Sequence, residues 1–233
     1  MIQKFIRYRT KKMNWLNKTQ YNLHIDGFTI HKNAVDIDET VVDRFKGQIN
    51  RARPIFNNSN RNDMKRMQFR VKRGDLPRIN KVLLFIKENY PNLNAVEWNI
   101  LWSKKCQRQQ AHSDYEPDIK MLNISKDQMP LSALVPLDEG CKLIVWKKSI
   151  NLINKSNDDL QRVKTIKPTI VTLNPGDILI FRADLIHAGS EYDEPNIRLH
   201  AFLDSDAITR QHNRTYIIGK HAPNELHRII QEM

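Results

Sequence analysis

The sequence predicts a mainly β fold with flanking helices (α+β), its core a double-stranded β-helix of the jelly-roll, cupin-like type. Two observations carry that expectation. From Asn94 onward the chain breaks into about eight short segments rich in Val, Ile, Leu, Trp and Phe, separated by turn residues, as packed antiparallel sheets do. The preceding third shows helical periodicity instead, and a length of 233 residues suits one such domain with appendages.

Residues 1–20 read as a basic N-terminal arm, with six Lys/Arg and no acid between Ile2 and Asn22. Residues 21–233 read as a single domain. Its first segment, 21–30, has β-formers on either side of Asp26-Gly27, a short strand or turn signal. Helical support is expected over about 36–90. Asp36 or Asp38 can cap a helix with Val41, Val42, Phe45 and Ile49 on one side. A second helix begins near Leu76-Pro77, carries Ile79, Val82, Leu83 and Ile86 on one face, and ends before Pro91. Between them, residues 51–74 are basic and Asn-rich and are expected to form a long loop with one helical turn. The jelly-roll core spans about 94–205, with strands at 96–102, 107–114, 121–124, 131–136, 142–146, 169–173, 178–181 and 197–203. Residues 151–167 read as a polar loop on one rim. The extension, 206–233, ends in one short helix with Leu226, Ile229 and Ile230 as its apolar side.

Two cysteines, Cys106 and Cys141, are too few for a disulfide framework and are not spaced as a zinc or redox motif. No apolar run is long enough to span a bilayer, and Met1 to Leu16 lack the apolar stretch of a secretory signal. The expectation is a soluble, cytoplasmic protein. The formal net charge is +12, and residues 1–73 hold 17 Lys/Arg against 6 Asp/Glu. Arg51, Arg53, Arg61, Lys65, Arg66, Arg70, Lys72 and Arg73 are therefore candidate phosphate contacts, set against the plainer reading of a solvated surface. Few aromatic residues interleave with these charges, unlike in single-strand binders.

The chemistry concentrates in Gln109-Gln110-Ala111-His112-Ser113-Asp114-Tyr115. In an extended segment, His112 and Asp114 share one face and can grip one metal ion. Further along, Pro175-Gly176-Asp177 opens an apolar strand, and His187 follows at its far rim. Two imidazoles and a carboxylate on a β scaffold form the set that binds Fe(II) and leaves positions open. Eleven residues beyond His187 comes Arg198, whose side chain shares a face with His200 and Phe202 on an alternating strand. A guanidinium pointing into the sandwich needs an anionic partner, which a ligand carboxylate would supply.

In these elements the chain resembles the Fe(II)- and 2-oxoglutarate-dependent dioxygenases, more narrowly their phytanoyl-CoA dioxygenase-like branch. The carriers are Gln-x-x-His-x-Asp at Gln109 to Asp114, the Pro175-Gly176-Asp177 turn, His187 and Arg198. Asp26-Gly27-Phe28 before a helix looks like the start of that branch's domain. The resemblance implies His112, Asp114 and His187 as metal ligands and Arg198 as the residue holding the distal carboxylate of 2-oxoglutarate. It further implies O2 as co-substrate and oxidation of a substrate C–H bond coupled to decarboxylation of 2-oxoglutarate to succinate. The carboxylate of Asp114 favours a hydroxylase over the related halogenases. Asn99 is a candidate to face the co-substrate. His200 is a candidate to support Arg198 or the keto acid, and it departs from the Ser or Thr of many relatives. Trp102, Trp146, Tyr115 and Tyr192 are pocket candidates for which core packing is the plainer reading. The expected substrate is a small molecule or a protein. The alternatives are a nucleic-acid-modifying oxygenase using the basic first third, and a catalytically silent metal-binding jelly-roll module.

Overall fold

The computed structural model describes residues 19–55, 65–115, 120–152, 163, 165–208, 210 and 216–217. Arg61, most of the basic arm, most of the polar loop and the C-terminal helix expectation lie outside these residues. The strands are β1 (Thr19–Gln20), β2 (Phe28–His31), β3 (Arg53–Pro54), β4 (Arg66–Arg70), β5 (Asn94–Ser103), β6 (His112–Ser113) and β7 (Leu131–Pro136), continuing through β8 (Cys141–Val145), β9 (Thr169–Leu173), β10 (Ile178–Arg182), β11 (His187–Gly189), β12 (Asn196–Asp204) and β13 (Tyr216–Ile217). They form an eight-stranded sheet of order β1-β2-β10-β7-β12-β5-β4-β3 and a five-stranded sheet of order β13-β6-β11-β8-β9. All pairs are antiparallel, and chain-distant strands lie side by side, as the jelly-roll expectation requires.

Side-chain alternation divides the larger sheet into two faces. On its outer face Trp98, Ile100, Ala133, Ile180, Leu199 and Ala201 pack with Val41, Phe45, Val82 and Ile86 from two helices. Helix α1 (Glu39–Lys46) is capped by Asp38, whose side chain accepts the Thr40 N–H at 2.8 Å. Helix α2 (Asn80–Asn89) follows a 3-10 turn over Arg73–Ile79, so the regular helix starts later than Pro77 suggests. Of the expected apolar stripes, α1 holds Val41, Val42 and Phe45 and α2 holds Val82, Leu83 and Ile86 against the core, while Ile49 and Ile79 fall in the adjoining 3-10 turns. Each fully buried aliphatic or Phe side chain there contributes about 1.5–3 kcal/mol. On the inner face Phe28, Leu134, Leu179 and Phe181 meet Leu143, Val145, Val171 and Leu173 of the smaller sheet.

Three local expectations fail. Residues 51–74 are not one loop, because β3 and β4 extend the larger sheet and β4 pairs with β5 over five residue pairs. The strand was hidden because Arg66, a charged residue, occupies a buried inward position. Of the strand expected at 121–124, residues 121–123 lie instead in a helical turn, α3 (Lys120–Asn123), which buries only Met121. Of the strand expected at 107–114, only His112–Ser113 pairs regularly, since Cys106 instead forms an isolated bridge with Tyr192. Among the described residues no helix is long and apolar enough to cross a membrane.

Candidate metal centre and anion pocket

Strand β6 lies between β13 and β11 in the smaller sheet, with His112 directly opposite His187. Opposed residues in an antiparallel pair share a face, so both imidazoles enter the sandwich together, their ring centroids 4.5 Å apart. Asp114 sits just past the end of β6 and turns inward. The ligand-capable atoms of His112, Asp114 and His187 all lie within 4.8 Å of one another, and all three residues are buried.

The backbone sets the tautomers. Nδ1 of His112 lies 2.7 Å from the Gln110 carbonyl, and Nδ1 of His187 lies 3.0 Å from the Leu185 carbonyl. A carbonyl only accepts, so Nδ1 carries the proton in both rings, and Nε2 faces the common centre, as metal-binding histidines require. Nε2 of His187 is 3.5 Å from Asp114 Oδ1. The other carboxylate oxygen, Oδ2, accepts the Ser132 hydroxyl at 2.6 Å and lies 3.8 Å from His200 Nε2. Asp114 is thus oriented from the larger sheet while it faces the histidines of the smaller one.

The charge states follow from this packing. Burial, with the neighbouring His187 charge, pushes His112 down to about 4, which leaves a neutral donor at physiological pH. Burial acts to raise the Asp114 carboxyl, but the positive charge and hydrogen bond of His187 outweigh it and hold the group below the usual carboxylate range. Burial alone would lower His187, yet Asp114 raises it. His200 is lowered to about 4, chiefly by burial, with the charges of Arg198 and Arg210 adding to that effect and Asp114 opposing it.

Strand β12 carries Arg198, His200 and Phe202 on the inward face, as the alternation predicts, with Leu101, Asn99 and Glu97 opposite them on β5. Arg198 is 4% exposed, donates from Nη1 to Ser103 Oγ at 3.0 Å, and lies under the Tyr192 ring at 5.4 Å. Among the described residues no carboxylate lies within ion-pair distance of it. Leu101 and Leu134 flank the stretch between Arg198 and the metal-ligand cluster, and Phe181 packs on His187 with ring centroids 4.8 Å apart. The inward face of the sandwich thus carries two buried imidazoles and a buried carboxylate at one place and a buried guanidinium at another.

Arg66 is placed differently from its sequence expectation. It is fully buried and donates to Ser103 Oγ at 3.3 Å, to the Gln107 and Gly189 carbonyls at 2.8 and 3.3 Å, and to the Ser190 carbonyl. It therefore clamps β4 to the end of β11 and does not face solvent phosphates. Gln109 completes this clamp, because its Oε1 accepts the Gly189 N–H at 2.9 Å. A Cβ at Gly189 would run into that amide and the Arg66 guanidinium, which explains the glycine two residues after His187.

Of the other candidates, Asn99 is buried opposite His200, on the pocket side. His200 faces Asp114. Tyr192 covers Arg198, and its hydroxyl is fixed by the backbone N–H and carbonyl of Lys142. Tyr115 is buried in the main core and donates to Asp204. Trp102 and Trp146 belong to outer-face clusters, so they pack. Ser132, Ser103 and Arg210 were not anticipated. The signal for the first was a lone hydroxyl at an inward position of an otherwise apolar strand.

No family model matches the chain, and no curated protein matches its sequence. Solved structures do. The non-heme alpha-ketoglutarate-dependent epimerase SnoN from nogalamycin biosynthesis aligns with a TM-score of 0.55 at 14% identity, over 78% of this chain and 80% of that one. HygX from Streptomyces hygroscopicus, solved with nickel and 2-oxoglutarate bound, aligns with a TM-score of 0.56 at 13% identity, over 82% and 87%. AviO1 from Streptomyces viridochromogenes aligns with a TM-score of 0.56 at 13% identity, over 81% and 95%. At such identities the likeness establishes a shared fold.

Proposed function

We propose that the protein is an Fe(II)- and 2-oxoglutarate-dependent oxygenase, and specifically a hydroxylase. The observation that carries this reading is the convergence of His112, Asp114 and His187, with Arg198 buried at the far end of the same pocket without a protein carboxylate. The donor set fits Fe(II): two neutral-capable imidazole nitrogens and one carboxylate oxygen, a three-donor set of the kind that leaves iron positions open. The fit to a dicarboxylic keto acid is equally direct, because a buried guanidinium requires an anion and the donor cluster requires a chelator. SnoN and HygX, which are described as alpha-ketoglutarate-dependent or bound to 2-oxoglutarate, share the fold and support the reading. The phytanoyl-CoA dioxygenase-like branch rests on the motif spacing alone.

In this reading Nε2 of His112, Nε2 of His187 and Oδ1 of Asp114 hold the metal. Ser132 occupies Oδ2, which keeps Oδ1 turned to the centre. Arg198 binds the distal carboxylate of 2-oxoglutarate, and Ser103 fixes the guanidinium's rotation. Leu101, Leu134 and Phe181 exclude water from the space between. Iron with 2-oxoglutarate and O2 supplies the oxidising power there, coupling release of CO2 and succinate to oxidation of a substrate C–H bond. The test is anaerobic titration with Fe(II) and 2-oxoglutarate, followed by succinate release in air. Binding of both with succinate formation is the expected result. Failure of the full-length chain to bind Fe(II) would remove the proposal.

A further inference from the structure

Beyond Phe202 the inward face of β12 opens. Arg198 and His200 are buried, whereas Phe202 and Asp204, the next residues on that face, are partly exposed. The chain then reverses through a bridge between Ser205 and Ile208 and brings Arg210 back over the strand. The Arg210 guanidinium carbon lies 3.6 Å from the centroid of the Phe202 ring, and that ring lies 4.6 Å from the His200 ring. His200 in turn reaches Asp114. Arg210 is only 7% exposed, and its buried Nε has no hydrogen-bond partner among the described residues. No described carboxylate pairs with it: Asp204 accepts the Tyr115 hydroxyl, and Glu97, opposite Phe202, makes no ion pair with it.

Two buried cations therefore bracket the metal-ligand cluster along one strand face. Arg198 and Phe202 are four residues apart, about 13 Å along an extended strand. The cluster lies beside the midpoint, at His200. The Arg198 end is closed and matches the co-substrate. At the Arg210 end Phe202 and Asp204 are partly exposed, so a group reaching past them meets a desolvated guanidinium close to the reactive centre. A positive charge so buried is stabilised by an oxyanion, and a Phe ring offsets only part of its lost hydration.

We propose that Arg210 holds an anionic group of the primary substrate, a carboxylate or a phosphate, beside Phe202 on this strand face. The proposal rests on the oxygenase reading above and names the substrate class for it. Substrates bearing such a group are positioned with the anion at Arg210 and the oxidised carbon toward Asp114 and the two histidines. The matching neutral compounds are poor substrates.

The experiment uses the full-length chain loaded with Mn(II) and 2-oxoglutarate, so that Arg198 is occupied. Inorganic phosphate and acetate are the probes. Nuclear magnetic resonance line broadening by the bound Mn(II) reports whether either anion sits near the metal. Saturable broadening is expected for at least one probe, and the tighter one assigns the anion class. Affinity should weaken about tenfold or more in Arg210→Gln, recover in large part in Arg210→Lys, and stay unchanged on Lys104→Gln at an exposed lysine beside the Trp102 ring, a control for net charge. Equal affinity in wild type and Arg210→Gln, no binding by wild type, or binding without broadening would each overturn the proposal. Electron paramagnetic resonance separates the two readings. If Mn(II) stays free, the oxygenase reading fails and takes this proposal with it; if Mn(II) binds and the anions ignore Arg210, this proposal alone fails.

Discussion

At the residue scale, the donor cluster depends on side chains that never touch the metal. Ser132 donates to Asp114 Oδ2 from a fully buried position, and Ser132→Ala removes that hydrogen bond with almost no change in volume. Metal affinity should fall about 10–100-fold, as for other residues that orient a ligand. Mn(II) titration followed by paramagnetic resonance measures it, and unchanged affinity would show that Asp114 orients itself. Asp114→Ala should abolish binding outright in the same assay. Arg198→Gln makes a distinct prediction, because it removes charge from the far end of the pocket. It should weaken 2-oxoglutarate about tenfold or more while Mn(II) binding stays intact, since charge-assisted bonds to a buried ion are worth about 1.5–3 kcal/mol. The residues of this cluster were legible in the sequence, because period-two spacing puts His112 with Asp114 and Arg198 with His200 on shared faces. Ser132 and Arg210 were not, since a lone serine in a strand and an arginine in an extension carry no periodic signal.

At the element scale, the helical layer is tied down by a carboxylate. Asp75, in the 3-10 turn before α2, accepts from Arg44 Nε at 3.1 Å and Gln48 Nε2 at 3.2 Å, and lies 3.5 Å from Arg78 Nε. It thereby joins the turn to α1. Burial would raise this carboxyl, but the hydrogen bonds from Gln48 and Arg44 and the arginine charges together lower it. A group lowered in the folded state stabilises the fold above its unfolded pKa, near 3.9, and loses that contribution as pH falls through its folded value. Asp75→Asn should therefore cost about 1–2 kcal/mol at neutral pH, a modest figure because the arginines are half exposed. Its penalty should shrink below about pH 4 in urea unfolding series. A penalty independent of pH would mean that shape, not charge, holds the turn. Most strands and both main helices were readable from apolar periodicity alone. What escaped was β4, whose Arg66 violates the polar-out rule, and α3, whose Met121 and Leu122 carry β-like apolarity in a stretch too short for a helical period.

At the scale of the whole molecule, the metal centre joins the two sheets. His112 and His187 belong to the smaller sheet, while Asp114 is held by Ser132 of the larger one. A metal bound there cross-links the sandwich at its inner face, and it binds the folded state only, because the three ligands are brought together by tertiary structure. At a metal concentration one hundred times Kd the stabilisation is about 2.7 kcal/mol. For a domain of this size each kcal/mol moves Tm by about 2–4 °C, so Mn(II) should raise Tm by roughly 5–10 °C. Chelation should reverse the shift, and Asp114→Ala should show none. Metal binding must also displace the proton that Asp114 favours on His187, so the shift should shrink as pH is lowered from neutral toward 5, against wild type without metal as the reference at each pH. The Gln109–Gly189 and Arg66 clamp adds a second link between the sheets that needs no metal. Disrupting that clamp should therefore lower Tm in the metal-free and metal-bound proteins alike and leave the Mn(II)-induced shift intact, whereas Asp114→Ala abolishes the shift itself, and differential scanning fluorimetry with and without Mn(II) on the two variants distinguishes the links.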